Sequence, residues 1–117
     1  MEQESVKLAR TWITCWNEGR PDDIPLAADF THNSPYGIVS GRDAYLDWVK
    51  PLAEENVMDL RIIRCVGDEN EAAIWFEMDT PGAGTVRVVD WVSTQDGEIL
   101  SINSFYDPTG LAGLDQS

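Results

Sequence analysis

The sequence predicts an α+β domain in which helices pack on one side of an antiparallel sheet. Apolar residues recur at helical spacing in the first half of the chain, and from residue 58 onward they alternate with a period of two. The length of 117 residues is enough for one domain with one core, so we expect a single domain over residues 1–117. The alternation of strands and helices typical of nucleotide-binding sheets is absent from the pattern.

The first half of the chain predicts three helices and one strand. The first helix has one apolar stripe, formed by Val6, Leu8, Ala9, Trp12, Ile13 and Trp16, and Gly19 with Pro21 follows its end. A short second helix is predicted from the capping carboxylates Asp22 and Asp23 through Ala28. Phe30–Ser34 is predicted as a strand and the next residues through Gly37 as a loop. The third helix begins after Gly41, its inner stripe is Tyr45, Trp48, Val49 and Leu52, and Pro51 is expected to bend or end it.

The second half predicts four strands joined by short turns. The predicted ranges are Met58–Val66, Ala72–Asp79, Thr85–Thr94 and Glu98–Tyr106. Because each connection is short, we expect an antiparallel meander. The residues from about 109 onward are expected to form a flexible tail.

Composition excludes several classes of function. Lys and Arg number 8 and Asp and Glu number 21, which gives a net charge of −13. Such a surface repels phosphate backbones and anionic lipid, so we expect neither a nucleic-acid partner nor a membrane partner. The acidic start Met1–Glu4 is unlike a signal peptide, and the two cysteines are too few for a disulfide framework. We therefore expect reduced thiols and a cytoplasmic location.

Short catalytic and cofactor motifs are missing from the sequence. There is no glycine-rich phosphate loop, no Gly-x-Ser-x-Gly, no Cys-x-x-Cys and only one histidine. A zinc site with histidine ligands is therefore not expected, and neither is any other metal or cofactor.

One carboxylate lies within an apolar pattern. On the strand predicted over residues 85–94, Asp90 alternates in phase with Val86, Val88 and Val92, whereas Trp91 lies on the other face. If the valine face is buried, desolvation raises the pKa of Asp90, as in many acid/base sites. If the Trp91 face is buried instead, Asp90 points to water. Periodicity alone does not choose between these two interpretations.

Other polar groups share the predicted interior. His32, the single histidine, lies in phase with Phe30 and Ser34, and a lone histidine of this kind is more often structural than catalytic. Ser104 and Tyr106 add hydroxyls to an apolar face of the last strand, which is typical of a small-molecule site. The tryptophans of the helices serve either as core or as walls for a flat ligand.

Three stretches of the sequence resemble the SnoaL-like and nuclear transport factor 2-like superfamily. They are Trp16-Asn17-Glu18-Gly19-Arg20, then Ala28–Pro35 with Gly41-Arg42-Asp43-Ala44, and Asp96–Ile99 with Phe105–Pro108. The resemblance covers residues 5–108 and implies a cone-shaped fold with one apolar pocket. It implies that Asp90 faces this pocket at the position of an oxyanion-binding carboxylic acid in ketosteroid isomerase-like proteins.

The chain lacks some of the catalytic residues of the isomerase-like and epoxide-hydrolase-like members of this superfamily. The isomerase-like general base is Ser34 here, and the isomerase-like tyrosine of the first helix is Trp12. Limonene-epoxide-hydrolase-like proteins carry a second acid where this chain has Ser104, and Arg87 faces away from Asp90. A polyketide cyclase-like pattern needs mainly one inward carboxyl group and agrees with the sequence.

Three functional hypotheses follow. The first is an acid/base isomerase, cyclase or lyase-like enzyme with Asp90 and His32 as catalytic residues. Its substrate would contact a set of lining residues: Trp12, Trp16, Ser34, Tyr36, Trp48, Phe76, Met78, Val88, Ser104 and Tyr106. The second is a non-catalytic binding domain for a small apolar ligand. The third is a dimeric interaction domain, because Ile63, Trp75, Val89, Trp91 and Phe105 lie on the opposite faces of the strands.

Overall fold

Helices cover one face of a six-stranded curved sheet in this computed structural model, which describes residues 3–35, 37–55, 59–80 and 84–107. Within those ranges the elements are α1 (Glu4–Asn17), a 3₁₀ turn (Pro21–Asp23), β1 (Leu26–Ser34), β2 (Gly37–Ser40), α2 (Arg42–Glu55), β3 (Asp59–Gly67), β4 (Glu71–Thr80), β5 (Gly84–Gln95) and β6 (Glu98–Phe105). The α+β class is confirmed. Tyr36, Met58, the Leu52 side chain and the tail after residue 107 lie outside the described parts.

The second predicted helix is wrong. Only one 3₁₀ turn forms at Pro21–Asp23, and the chain is already extended at Leu26, four residues before the predicted strand. Leu26 pairs with Ile99, and the Ile99 amide donates to the carbonyl of Pro25 at 2.8 Å. Pairing with β6 therefore makes the chain extended from Leu26, although the local sequence pattern favours a helix there.

Two further predictions in the first half need correction. The residues after the Pro35 turn form β2, which pairs antiparallel with β1, and a strand of four residues is too short to give a clear alternating pattern in the sequence. The helix α2 continues past Pro51 to Glu55, so of the two expected effects of this proline, an end of the helix is excluded. The three predicted helices are thus two α-helices and one 3₁₀ turn in the described part of the chain.

The sheet is mixed rather than fully antiparallel. The strand order is β2-β1-β6-β5-β4-β3, and β1 runs parallel to β6 while the other pairs are antiparallel. The predicted meander of β3 to β6 is confirmed. Adding β1 beside the last strand brings residues of the first third of the chain next to those of the last third.

The core lies between the helices and the inner face of the sheet. Phe30, Val49, Ile74, Val92 and Ile102 are fully buried there. Ile99 is buried as well, although strict alternation placed it outward. A register shift between Ser93 and Thr94 in the β5–β6 pairing changes the phase at this end of β6.

The opposite sheet face carries exposed apolar side chains. They are Ile63, Val66, Trp75, Val89, Trp91 and Phe105. The predicted division of β4 and β5 into an inner and an outer face is therefore confirmed, and Asp90 belongs to the inner one.

Candidate functional site

Three neighbouring strands place polar side chains side by side on the inner sheet face. Asp90 of β5 is directly opposite Ser104 of β6, and His32 of β1 reaches Ser104 from the other side. The β5–β6 hairpin turns at Asp96 and Gly97, both with positive φ (53° and 80°), as a tight two-residue turn requires. This turn, together with the parallel β1–β6 pairing, assembles the three residues.

Asp90 is a carboxyl group inside the core. Its side chain is 2% exposed. Burial raises its pKa from 3.8 to about 7, although hydrogen bonds from Ser104 and Trp12 partly oppose this rise. Asp90 is therefore close to half protonated at neutral pH, which suits both donation and acceptance of a proton.

His32 is buried beside it. The ring is 7% exposed, and its Nε2 lies 2.9 Å from the Ser104 hydroxyl oxygen. Burial lowers the pKa of His32 from 6.5 to about 4, so the imidazole is neutral at pH 7. The two titratable groups are shifted in opposite directions by the same physical cause, because an apolar interior disfavours the charged form of each.

Buried polar atoms in this region lack protein partners. Trp16 Nε1, His32 Nδ1 and Asp90 Oδ1 form no hydrogen bond with any described residue. Buried polar groups are normally satisfied, so three such atoms near one another indicate a place for a ligand or for water.

An aromatic group surrounds His32. The ring centroids of Trp12, Tyr45 and Trp48 lie 6.4, 5.2 and 5.9 Å from that of the imidazole. Tyr45 is 1% exposed and stacks on Trp12 with a centroid distance of 5.6 Å. The sequence placed Tyr45 on the inner stripe of its helix but not among the site residues. Its spacing of three residues from Trp48 was the available signal.

The remaining predicted lining residues lie at different depths. Phe76 and Val88 are buried, and the partly buried Trp16, Trp48, Met78 and Tyr106 pack against the core. Ser34 is half-buried at the end of β1. Tyr36 is not among the described residues. The structure thus brings Trp12, His32, Trp48, Asp90 and Ser104 together.

Sequence comparison identifies the family. The model of the SnoaL-like domain matches residues 9–102, which is most of the chain and includes His32 and Asp90. The chain belongs to the SnoaL-like family. No functionally curated protein matches this SnoaL-like sequence significantly.

Solved structures share the fold of this SnoaL-like chain at low sequence identity. A Kribbella flavida protein is 19% identical with a TM-score of 0.84, covering 97% of this chain and 94% of that one. A nuclear transport factor 2-like protein from Cytophaga hutchinsonii is 19% identical with a TM-score of 0.79, covering 95% and 96%. A Catenulispora acidiphila protein with a ketosteroid isomerase-like fold, solved with trimethylamine, is 19% identical with a TM-score of 0.74, covering 92% and 91%. These likenesses establish the fold, and a fold by itself does not specify an activity.

Among the described residues, no three or more His, Cys, Asp or Glu side chains lie close enough together to hold a metal ion. No described helix is long and apolar enough to span a membrane. Cys15 is buried, Cys65 is half-buried, and the two form no disulfide.

Proposed function

We propose that this SnoaL-like protein is a proton-transfer enzyme of the isomerase, cyclase or dehydratase type that acts on a small, neutral, largely apolar substrate. The observation that carries the proposal is Asp90. This carboxyl group is 2% exposed, has an unpartnered Oδ1 among described residues, and has a pKa of about 7. A group with these properties exchanges protons readily at neutral pH.

Asp90 is the proposed group that exchanges a proton with the substrate. A pKa of about 4 makes neutral His32 a weak base at pH 7, whereas Asp90 titrates near the working pH. His32 then acts as a neutral hydrogen-bonding group. This assigns the two residues distinct roles that the sequence had left interchangeable.

The surroundings favour a flat and uncharged substrate. The walls near His32 are Trp12, Tyr45 and Trp48, which offer apolar ring faces. An anion would be repelled by ionised Asp90, and each charged ligand would lose its hydration in this interior.

The proposal can be tested with 2-tetralone, a neutral bicyclic ketone with an acidic carbon–hydrogen bond. The protein should catalyse exchange of its α-hydrogens in D₂O, measured as loss of their ¹H NMR signal. Asp90→Asn should lower the rate by roughly 10²–10⁴-fold, the usual contribution of a positioned acid or base. Asp29→Asn, at an exposed position of β1, is the matched control and should leave the rate unchanged. An equal rate in Asp90→Asn would exclude Asp90 as the proton carrier.

A non-catalytic binding domain is the second candidate. The aromatic group around His32 favours it, because these rings would hold a flat ligand without any chemistry. Quenching of tryptophan fluorescence by 2-tetralone, with no exchange above the buffer rate, would support this function over the enzyme.

A further inference from the structure

The side chains of His32, Ser104 and Asp90 form a continuous hydrogen-bonded chain across three strands. His32 Nε2 lies 2.9 Å from Ser104 Oγ. Ser104 is directly opposite Asp90 in the β5–β6 pairing, and its hydrogen bond to the carboxyl group opposes the rise of the Asp90 pKa. Each end of the chain finishes in an atom that is unpartnered among the described residues, His32 Nδ1 at one end and Asp90 Oδ1 at the other.

Ser104 has one hydroxyl hydrogen, and the direction in which it is donated determines where the other protons of this chain lie. If Ser104 donates to Asp90, its oxygen accepts from His32 Nε2–H, and the neutral imidazole leaves a lone pair on Nδ1. If Ser104 instead donates to His32 Nε2, the imidazole carries its hydrogen on Nδ1, and a protonated Asp90 donates to Ser104. In the first arrangement Asp90 also carries a proton on Oδ1, so the two arrangements contain the same number of protons and no charge.

We propose that His32, Ser104 and Asp90 act as a neutral proton relay that interconverts the keto and enol forms of a carbonyl substrate. This inference rests on the proposed function, in which Asp90 exchanges a proton with the substrate. It adds that His32 Nδ1 accepts the proton from carbon as Nε2 gives up its own, and it names the substrate class and the positioning residue, Ser104. It differs from a mechanism with one carboxylate base, because the proton leaves the substrate at one end of the relay and another proton arrives from the other end.

The forward step balances without any co-reactant. A carbon–hydrogen bond next to the carbonyl breaks, its proton bonds to His32 Nδ1, and its electron pair forms the carbon–carbon double bond. The Nε2 proton moves to Ser104, the Ser104 proton moves to Asp90, and the Oδ1 proton bonds to the carbonyl oxygen as its π bond opens. The product is an enol, and the reverse sequence protonates carbon and restores the starting tautomers.

The interior favours this neutral route. Burial lowers the pKa of His32 and raises that of Asp90, so both the imidazolium and the carboxylate are disfavoured. The described groups that lie against the relay are Trp12 from α1, beside both His32 and Asp90, and Tyr45 and Trp48 from α2, beside His32. Each of these side chains is neutral at pH 7. The unpartnered Trp16 N–H is a hydrogen-bond donor, which complements a substrate oxygen.

The proton positions can be measured without any substrate. Because His32 is the only histidine in the sequence, ¹⁵N-histidine labelling gives one imidazole spectrum. We expect a neutral ring with one fixed tautomer, protonated on Nε2, at pH 7. Ser104→Ala should remove the fixed tautomer and give a mixture, whereas Ser104→Thr, which keeps a hydroxyl group, should retain it. An imidazolium at pH 7, or an unchanged spectrum in Ser104→Ala, would overturn the relay.

The catalytic test uses exchange of 2-tetralone hydrogens in D₂O. Ser104→Ala should lower the exchange rate by about 100-fold, and Ser104→Thr should restore it to within several-fold of wild type. Ser101→Ala, on the same strand but out of phase with Ser104, is the control and should leave the rate unchanged. Exchange that depends on Asp90 but not on Ser104 would overturn the relay and leave the proposed function standing. Absence of exchange by the wild-type protein would overturn both.

Discussion

His32 and Ser104, 72 residues apart in the sequence, meet at 2.9 Å between Nε2 and Oγ inside the core. Their contact exists because β6 lies between β1 and β5 in the sheet. The same hydroxyl bonds to Asp90, so one small side chain connects the two buried groups with opposed pKa shifts. The predictions below follow from this arrangement and from the contacts that hold it.

The first prediction concerns stability and pH. The folded-state pKa of Asp90 is raised from 3.8 to about 7, so its contribution to the free energy of unfolding falls as pH rises through that window. The folded-state pKa of His32 is lowered from 6.5 to about 4, so its contribution rises between those values. The two slopes oppose each other in the wild-type protein below pH 6.5.

Variants of each residue should therefore separate the two contributions to the pH dependence of the free energy of unfolding. Relative to wild type, Asp90→Asn should become more stable as pH rises, by roughly 2–4 kcal/mol above pH 7. His32→Gln should lose stability relative to wild type over the range in which His32 titrates. Urea unfolding from pH 4 to 8 measures both. Parallel curves for wild type and Asp90→Asn would show that Asp90 titrates normally.

The second prediction uses the unpartnered indole N–H of Trp16. Trp16→Phe removes this donor. Because the donor has no hydrogen-bond partner in the ligand-free protein, its removal should change the free energy of unfolding little. Affinity for a ketone should fall by about tenfold, because one hydrogen bond to the ligand is lost. Isothermal titration with 2-tetralone measures the affinity, and Trp75→Phe on the exposed face is the control. Equal affinity in wild type and Trp16→Phe would contradict a contact between this N–H and the ligand.

The third prediction concerns the outer sheet face. Trp75, Val89 and Phe105 form one row across β4, β5 and β6, and each is at least 37% exposed. We propose that two copies associate through this face, because an exposed apolar row of this kind is typical of interfaces. Light scattering should give twice the chain mass of 13.1 kDa, and Val89→Lys should halve it.

The control for the dimer is Ile38→Lys. Ile38 is also exposed but lies on β2, at the far edge of the sheet. This variant should keep the dimer mass. A wild-type mass of one chain at micromolar concentration would exclude the interface.

The fourth prediction concerns Asn17 at the end of α1. Its amide donates to the Leu60 carbonyl at 2.8 Å and accepts from the Leu60 N–H at 2.8 Å, as a neighbouring strand would. Asn17→Ala leaves both backbone groups without this partner and should lower the free energy of unfolding by about 1–3 kcal/mol. Asn33→Ala, at an exposed strand position, is the control in urea unfolding. Similar midpoints for the two variants would show that the Asn17 contact adds nothing.

The sequence alone predicted the elements with strong periodicity. Helix α1 and strands β3 to β6 follow from spacing, and the inner face of β5 carries Val88, Asp90 and Val92 as the resemblance implied. These segments are long enough for one buried face to decide their structure. The resemblance to SnoaL-like proteins, confirmed by the family match, supplied the overall architecture.

Only the tertiary structure decided the features that depend on distant pairing. Leu26–Ala28 joins the sheet instead of following its local helix pattern, because Leu26 pairs with Ile99 of β6. The parallel placement of β1 beside β6 has no local signal in the sequence, since strand neighbours separated by about 70 residues are chosen by burial of the whole sheet face. That placement brings His32 to Ser104 and Asp90. The sequence together with the family resemblance therefore indicated most of the residues that face inward, and the sheet order determined which of them touch.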